Sequence, residues 1–540
     1  MRRGPVVAAS GVAVAGAAVL AVGLWPGGSD GGGSARVSPS REESAAASPA
    51  SPTKSYALSK APATIPAVRE HTAARGPGWR PAEGKGRVVV RDDGLADEAR
   101  LLAGELKLSY GGDAKPREGD VELALGKDEN SEGKSSKAKS GGDESYTLTV
   151  KERRVRISAP TEAGVFYGTR TLKQEVSGGR TAPEGEVRDR PAKPQRGFMV
   201  DIARKHFDVK WIEDRIRELG DLKYNQLGLH FSDDQAFRIA SDSHPEIVSS
   251  DHLTKDQVRH LVKLAESRHI TVVPEIDSPG HLGAVIKQHP SLQLRTARGT
   301  ATRGAVDISE PEAGKIVDDL LKEYAELFPG AYWHLGADEY QALTVKDPES
   351  TYPQLAAAAR KRYGPDGRVQ DLATGWLNDR ADTVRPHKKK LKAWNDGFFR
   401  GGTAEAADDL EVAYWTGKEI GAREPVEYLK AGRKLTNYND EYLYYVLGQP
   451  NDFRYPTGQR IYESWTPLVV RGTRPVDARY DDQILGGTFA VWGDLAGAQS
   501  QEQVAKGIRM PLRATAQKLW DPRKPTLAWD DFVKLADTVR

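Results

Sequence analysis

The sequence predicts an α/β fold: a (β/α)8 barrel preceded by a small α+β domain. Two observations carry that prediction. From Gln195 onward, short apolar runs rich in large residues alternate with amphipathic stretches, in the order expected of parallel β/α units. Eight such runs can be traced, and unusual polar residues follow them at the C-terminal ends, where a β/α barrel keeps its chemistry.

Taken in order, the chain opens with Met1-Arg2-Arg3 and an apolar stretch over residues 6–25, the basic flank and greasy body of an export signal. The stretch is as long as a spanning helix requires, so residues 1–26 read as a signal peptide or an uncleaved membrane anchor. Either reading places the protein outside the cytoplasm, secreted or anchored to the outer face of the cell membrane. Residues 27–75 are dominated by Gly, Ser, Ala and Pro, a composition that buries too little apolar surface to offset the entropy of ordering, and they read as a disordered linker.

Residues 76–190 form the expected small domain. Runs at 87–90, 121–125 and 146–150 have strand character, and 95–106 and 164–172 carry apolar residues at helical spacing. Residues 127–143 form a charged, Gly- and Ser-rich insertion without periodicity, read as a solvated loop.

The barrel occupies residues 191–540, with strands expected at 197–202, 226–231, 271–276, 331–335, 391–394, 412–415, 434–438 and 485–491. Thr254 with Gln257, and Ser309 with Glu312, have capping-box spacing ahead of apolar stripes. Val258, Leu261, Val262 and Ala265 then recur on one helical face, which is core packing against the barrel.

Composition excludes several function classes. The 78 Lys plus Arg against 76 Asp plus Glu leave a net +2 with no single-sign block, so the sequence carries no nucleic-acid footprint. Cys is absent, which excludes disulfides, thiol catalysis and Cys-ligated zinc. The carboxylates and histidines are scattered over different strands without a compact ligand pattern, so neither a metal nor any other cofactor is expected.

The polar strand ends favour sugar chemistry. Strand one ends in Asp201, strand two in Ser232-Asp233-Asp234-Gln235, strand three in Asp277-Ser278-Pro279-Gly280-His281 and strand four in Gly336-Ala337-Asp338-Glu339. Strands five to eight end in aromatic groups: Trp394-Asn395-Asp396, Trp415, Asn437-Tyr438-Asn439-Asp440-Glu441-Tyr442, and Trp492-Gly493-Asp494. Aromatic walls stack on the apolar face of a pyranose while carboxylates take its hydroxyls and a carboxylic acid protonates the glycosidic oxygen.

Two carboxylates that flank a scissile bond normally come from different strands, whereas Asp338 and Glu339 are neighbours. Glu339 is therefore read as the acid and Asp338 as its partner, leaving the substrate to supply the nucleophile. Asp233-Asp234 fits helix caps as well as it fits a site. His281 is read as a relay to the acid, while His334, Trp333 and Trp376 are read as core.

Four motifs then resemble glycoside hydrolase family 20, the β-N-acetylhexosaminidases. They are Arg196-Gly197-Phe198-Met199-Val200-Asp201 with Arg204 and His206-Phe207, then Leu229 through Gln235, Pro274 through His281, and His334 through Glu339. The resemblance covers the chain from Pro77 on and implies a TIM barrel behind a small α+β domain. It implies hydrolysis of terminal β-linked N-acetylhexosamine with retention: the substrate's 2-acetamido oxygen attacks, Glu339 protonates the leaving group, and Asp338 holds the acetamido nitrogen. It further implies that Arg196 grips O3 and O4, that Tyr442 bonds the acetamido carbonyl, and that Trp394, Trp415 and Trp492 form walls. Asp277, His281 and Asp233 would support Glu339 from behind.

The chain departs from the family pattern at Tyr442-Leu443-Tyr444, where many members have an Asp after the tyrosine, and at Asp494, where Glu is usual. Residues 437–444 resemble those of dispersin-type members, so a β-1,6-linked N-acetylglucosamine polymer is an alternative substrate. A disaccharide-releasing enzyme and a catalytically degenerate sugar-binding barrel are further alternatives.

Overall fold

The computed structural model describes residues 55–82, 85–126, 143–418 and 422–539. The apolar stretch at 6–25 and the insertion at 127–142 lie outside them. No helix among the described residues is long and apolar enough to cross a membrane.

The eight expected strands are all present: Gln195–Asp201, Gln226–His230, Thr271–Glu275, Tyr332–His334, Lys390–Trp394, Glu411–Tyr414, Leu435–Asn437 and Ile484–Trp492. Each pairs in parallel with the next, and the eighth pairs with both the seventh and the first, which closes the barrel. Closure in one direction puts all eight C-terminal ends on one rim. A short strand, Tyr444–Val446, adds in parallel to the end of the eighth, with Tyr444 beside Ala490 and Val446 beside Trp492. Its pairing carries residue 444 to the mouth.

The helix Lys255–Glu266 starts in the capping box of Thr254 and Gln257 and buries Val258, Leu261, Val262 and Ala265. Each such Val or Leu contributes about 1.5–3 kcal/mol by leaving water. A later helix corrects one expectation. Pro311–Leu327 takes Glu310 as N-cap, while the Ser309 hydroxyl donates to Asp307 at 2.5 Å. Pro311 at the first turn already lacks the N–H that a cap would satisfy.

The small domain is a seven-stranded mixed sheet with the helices Ala96–Leu106 and Glu162–Val176 packed against it. It begins earlier than residue 76. Glu70–Ala73, placed in the linker by composition, pairs antiparallel with Gly185–Asp189. Ile65 is fully buried and its N–H donates to Gln174 Oε1 at 2.7 Å. Local composition misses this because the pairing partners lie more than a hundred residues away.

Barrel and small domain share buried contacts. Trp520, at the end of the helix Gln501–Trp520, belongs to the small domain's apolar core and donates its indole N–H to Asp189 at 2.9 Å.

Candidate active site

At the rim, the turn after Tyr332–His334 is built on unusual backbone. Gly336, Ala337 and Glu339 all have positive φ, at 67°, 79° and 49°. A Cβ at Gly336 would fall 1.9 Å from Asp277 Oδ1, so only glycine fits. Holding two non-glycine residues there costs energy that neighbouring bonds offset. Ala337 N–H donates to Asp277 Oδ1 at 2.7 Å, and Glu339 N–H donates to Asp396 Oδ2 at 2.8 Å.

This turn separates the two adjacent carboxylates. The Asp338 side chain is 14 % exposed, and the Glu339 side chain, at 38 %, opens toward the cavity. Burial, then the charge of Asp277, pushes Asp338 well above the ordinary carboxylate range. Burial likewise pushes Asp277 up to about 7, although His281 pulls it down.

Glu339 moves the other way. The hydrogen bond from His281, whose Nε2 lies 3.5 Å from Glu339 Oε2, lowers its pKa. His281 itself is raised far above an ordinary imidazole: burial opposes its charge, but Asp233 and Asp338 outweigh burial. Its Nε2 is 3.6 Å from Asp338 Oδ2 and its Nδ1 3.4 Å from Asp233. His281 thus lies within 3.6 Å of both Asp338 and Glu339.

Asp233 is no helix cap. It is 1 % exposed and receives His230 at 2.8 Å and Arg204 at 2.9 Å. His230, flanked by Asp233 and by Glu275 at 3.2 Å, keeps its charge with a pKa of about 10 although burial opposes it. Glu275 also accepts the indole N–H of Trp394 at 2.7 Å. A continuous buried network thus runs from Arg204 through Asp233, His230 and Glu275 to the floor of the site.

The cavity has a volume of about 540 Å³, within the range of small-molecule sites. Asp338, Glu339, Trp415, Tyr444, Trp492, Asp494 and Arg204 are among the residues that line it. Tyr444 lies parallel to Trp415, with ring centres 5.7 Å apart and planes at 6°, and also contacts Trp492 at 5.7 Å. Trp394, 1 % exposed, lies beneath them against Trp492, Tyr438 and His334. It is a floor rather than a wall.

Two expected sugar contacts lie elsewhere. Arg196 is at the N-terminal end of the first strand, 1 % exposed, paired with Glu144 of the small domain at 2.7 Å. It also donates to the carbonyls of Lys193 and Lys223. The C-terminal end of that strand instead presents Arg204, held by Asp201 at 3.0 Å and by Asp233, above the Trp492 ring and near Asp494. Burial pushes Asp494 up, with Arg204 pulling it down.

Tyr442 is likewise displaced. Its ring is 3 % exposed and covered by the Arg460 guanidinium at 4.1 Å. Tyr444, two residues on, is the tyrosine that lines the cavity with Asp338, whose charge adds to burial in raising its phenol.

Replacing Arg196 by Ala is expected to destabilise the fold by about 3–5 kcal/mol, the loss on breaking a buried ion pair, with KM for an aryl glycoside unchanged. Arg204→Ala should instead raise KM. Urea unfolding and initial-rate kinetics on both variants separate the two roles.

Sequence reasoning also assigned no role to Glu275 or Asp396. Glu275 was legible only as an anomaly, a carboxylate inside an apolar strand. Burial, then Asp338, pushes Asp396 up to about 8, and it receives the Trp415 indole N–H at 3.0 Å as well as the Glu339 backbone. Trp376, read as core, is buried and donates to Ser278 Oγ at 3.0 Å, which ties down the loop that carries His281.

The family model for the glycosyl hydrolase family 20 catalytic domain matches residues 194–523, and the model for domain 2 of that family matches residues 61–190. The chain belongs to glycoside hydrolase family 20. This family 20 chain is 31% identical over 472 residues to a lacto-N-biosidase of Bifidobacterium bifidum, a match that covers 87% of this chain and 41% of that protein. It is 30% identical over 311 residues to a beta-hexosaminidase of Porphyromonas gingivalis, covering 52% of this chain and 38% of that one. The family 20 chain thus spans less than half the length of both relatives. Among solved structures, a family 20 exo-β-N-acetylglucosaminidase of Vibrio harveyi, in complex with N-acetylglucosamine, superposes with a TM-score of 0.71 at 21% identity. That superposition covers 89% of this chain and 77% of that one.

Proposed function

We propose that this family 20 enzyme hydrolyses β-N-acetylhexosaminides with retention, by substrate-assisted catalysis through the 2-acetamido group. The observation that carries the reading is the division of labour at Asp338 and Glu339. Glu339 opens to the cavity beside His281, whereas Asp338 is less exposed and shares the cavity lining with Tyr444.

The sequence of events follows from these contacts. A sugar stacked in the Trp415, Tyr444 and Trp492 enclosure covers Glu339 and removes the water that stabilised its charge, so the His281 proton transfers to Glu339 and then to the glycosidic oxygen. The acetamido oxygen closes on the anomeric carbon as that bond breaks. Asp338 orients the acetamido N–H and balances the positive charge that develops on the ring so formed. Glu339, now a carboxylate, takes a proton from water, which opens the ring with net retention. This is a recognised exception to the two-carboxylate scheme.

The acid limb of kcat/KM should lie above the ordinary carboxylate range, because Asp338 must be free to accept a bond and both members of its pair are raised. Asp277→Asn removes the like charge and offers Asp338 an amide donor, so the limb should move to lower pH. A pH profile of kcat/KM on both proteins measures the shift; an unmoved acid limb would detach Asp277 from the catalytic ionisation.

A second reading concerns what leaves with the terminal sugar. The cavity extends past the Trp415 and Tyr444 stack to Asp452, Arg454 and Arg460, more room than one pyranose fills. At Asp494 the carboxylate is one methylene shorter than the family's usual Glu. Both features, with the likeness to a lacto-N-biosidase, support release of a disaccharide whose reducing sugar is the N-acetylhexosamine. Product analysis on β-1,3-, β-1,4- and β-1,6-linked oligosaccharides distinguishes this from release of single N-acetylhexosamines, and from the β-1,6-polymer activity. The apolar stretch at 6–25 supports action outside the cell on β-linked glycans.

A further inference from the structure

Away from the cavity, the loops after barrel strands two and three meet at a second cluster of titratable groups. His244 and Glu246 bracket Pro245 at the start of a 3-10 turn, Pro245–Ile247. His289 ends the helix Gly283–Gln288, which begins two residues after His281. These three side chains bring one ligand atom each within 4.8 Å of one another. Glu246 Oε1 lies 3.0 Å from His244 Nδ1 and 3.0 Å from His289 Nε2.

We propose that His244, Glu246 and His289 form a binding site for a divalent transition metal of the zinc class. Zinc bonds of about 2.0–2.1 Å to nitrogen and oxygen set ligand atoms roughly 3.3 Å apart on a tetrahedron, so the observed separations need little adjustment. Two imidazoles and one carboxylate are a zinc donor set, and they disfavour calcium and magnesium, which take oxygen. The second nitrogen of His244 supplies an independent observation. His244 Nε2 is buried without a hydrogen-bond partner and points at Asp319 Oδ2, 3.6 Å away. A metal-bound histidine characteristically turns its other N–H to a carboxylate, which fixes the ring. Lys315, 3.0 Å from Asp319, keeps that carboxylate ionised. The side chains of His289 and Glu246 are 29 % and 39 % exposed, which leaves an entry path and a fourth position for water.

The cluster links the two loops that bring Asp233 and His281 to the catalytic network. Those loops already touch where the Gly283 N–H donates to Asp234 at 3.0 Å. A metal ion would staple them together at their outer end. Neither the general acid nor its partner takes part in the site. Its ligands come from stretches more than forty residues apart, which no spacing along the sequence brings together.

The test uses the full-length chain, stripped with a chelator and titrated with zinc by calorimetry in the presence of a competing chelator. One zinc per chain is expected, with affinity lowered about tenfold or more in His289→Ala and in Glu246→Gln. Cobalt(II) in place of zinc should give visible bands of tetrahedral intensity that both variants lose. The Asp277, His281 and Asp338 cluster also gathers ligand atoms within 4.8 Å, so His281→Gln is the control, and it should leave zinc affinity unchanged. The metal-free melting temperature of each variant, compared with that of the stripped parent, reports folding. His289→Gln replaces His289→Ala if the latter is unfolded. Absence of micromolar zinc binding by the parent chain overturns the proposal. So does unchanged binding in the His289 variants, or binding lost only in His281→Gln.

Discussion

Glu339→Gln is expected to lower kcat by roughly 10²–10⁴-fold on a substrate whose leaving group is an ordinary sugar alcohol, the range that general acid catalysis supplies. The loss should depend on the leaving group. A nitrophenolate departs without a proton, so the first step on an aryl N-acetyl-β-glucosaminide should suffer far less than the same step on an N-acetylglucosamine oligomer. The second step still needs Glu339 to deprotonate water, so a burst of nitrophenol followed by slow turnover is the expected trace. Gln keeps the shape of the side chain and still accepts from His281, and Glu339 is open to the cavity, so the melting temperature should be nearly unchanged. Stopped-flow release of nitrophenol and steady-state hydrolysis of the oligomer test the two steps separately. Undiminished oligomer hydrolysis by the Glu339→Gln enzyme would remove Glu339 from the chemistry.

The barrel was legible because its physical cause is local. A strand buried on both faces reads as a run of large apolar residues, and eight such runs with helical stripes between them leave few alternatives. Asp338, Glu339, Asp277, His281 and Asp233 were legible for the same reason: a charged group at the end of an apolar run is an anomaly on a scale of a few residues. What was not legible depends on which end of a strand, or which face of a loop, a side chain occupies. Arg196 and Arg204 both belong to the first β/α unit, yet Arg196 lies at the start of its seven-residue strand, against the small domain, and Arg204 beyond its end, at the cavity. Tyr442 and Tyr444 are two residues apart, and Tyr444, paired with the eighth strand, is the one that lines the cavity. Glu275 and Asp396 act through partners on other strands, Trp394 and the Glu339 backbone, and no spacing along the chain records such pairs.

Asp338→Ala tests the nature of the nucleophile. If Asp338 serves by orienting the acetamido group and balancing the developing charge, its loss should lower kcat by roughly 10²–10³-fold, the cost of deleting one preorganised electrostatic partner. The parent enzyme should then be sensitive to the substrate's own amide. Successive fluorination of the N-acetyl group weakens its oxygen as a nucleophile, so kcat should fall from acetyl through difluoroacetyl to trifluoroacetyl, and an aryl β-glucoside with a 2-hydroxyl should not react. If Asp338 were instead a nucleophile in its own right, the N-acyl series would be flat. Azide added to the Asp338→Ala enzyme would also restore turnover and yield an α-glycosyl azide, since a small anion would enter the space vacated by the carboxylate. Under the proposed function the first outcome is expected. Asp338 is raised by burial and by the charge of Asp277, and its side chain is less exposed than that of Glu339. The same geometry separates stability from function: Asp338→Asn relieves the repulsion from Asp277 without opening a void. Its melting temperature should therefore equal or exceed that of the parent while turnover falls, a combination that a merely structural aspartate would not produce.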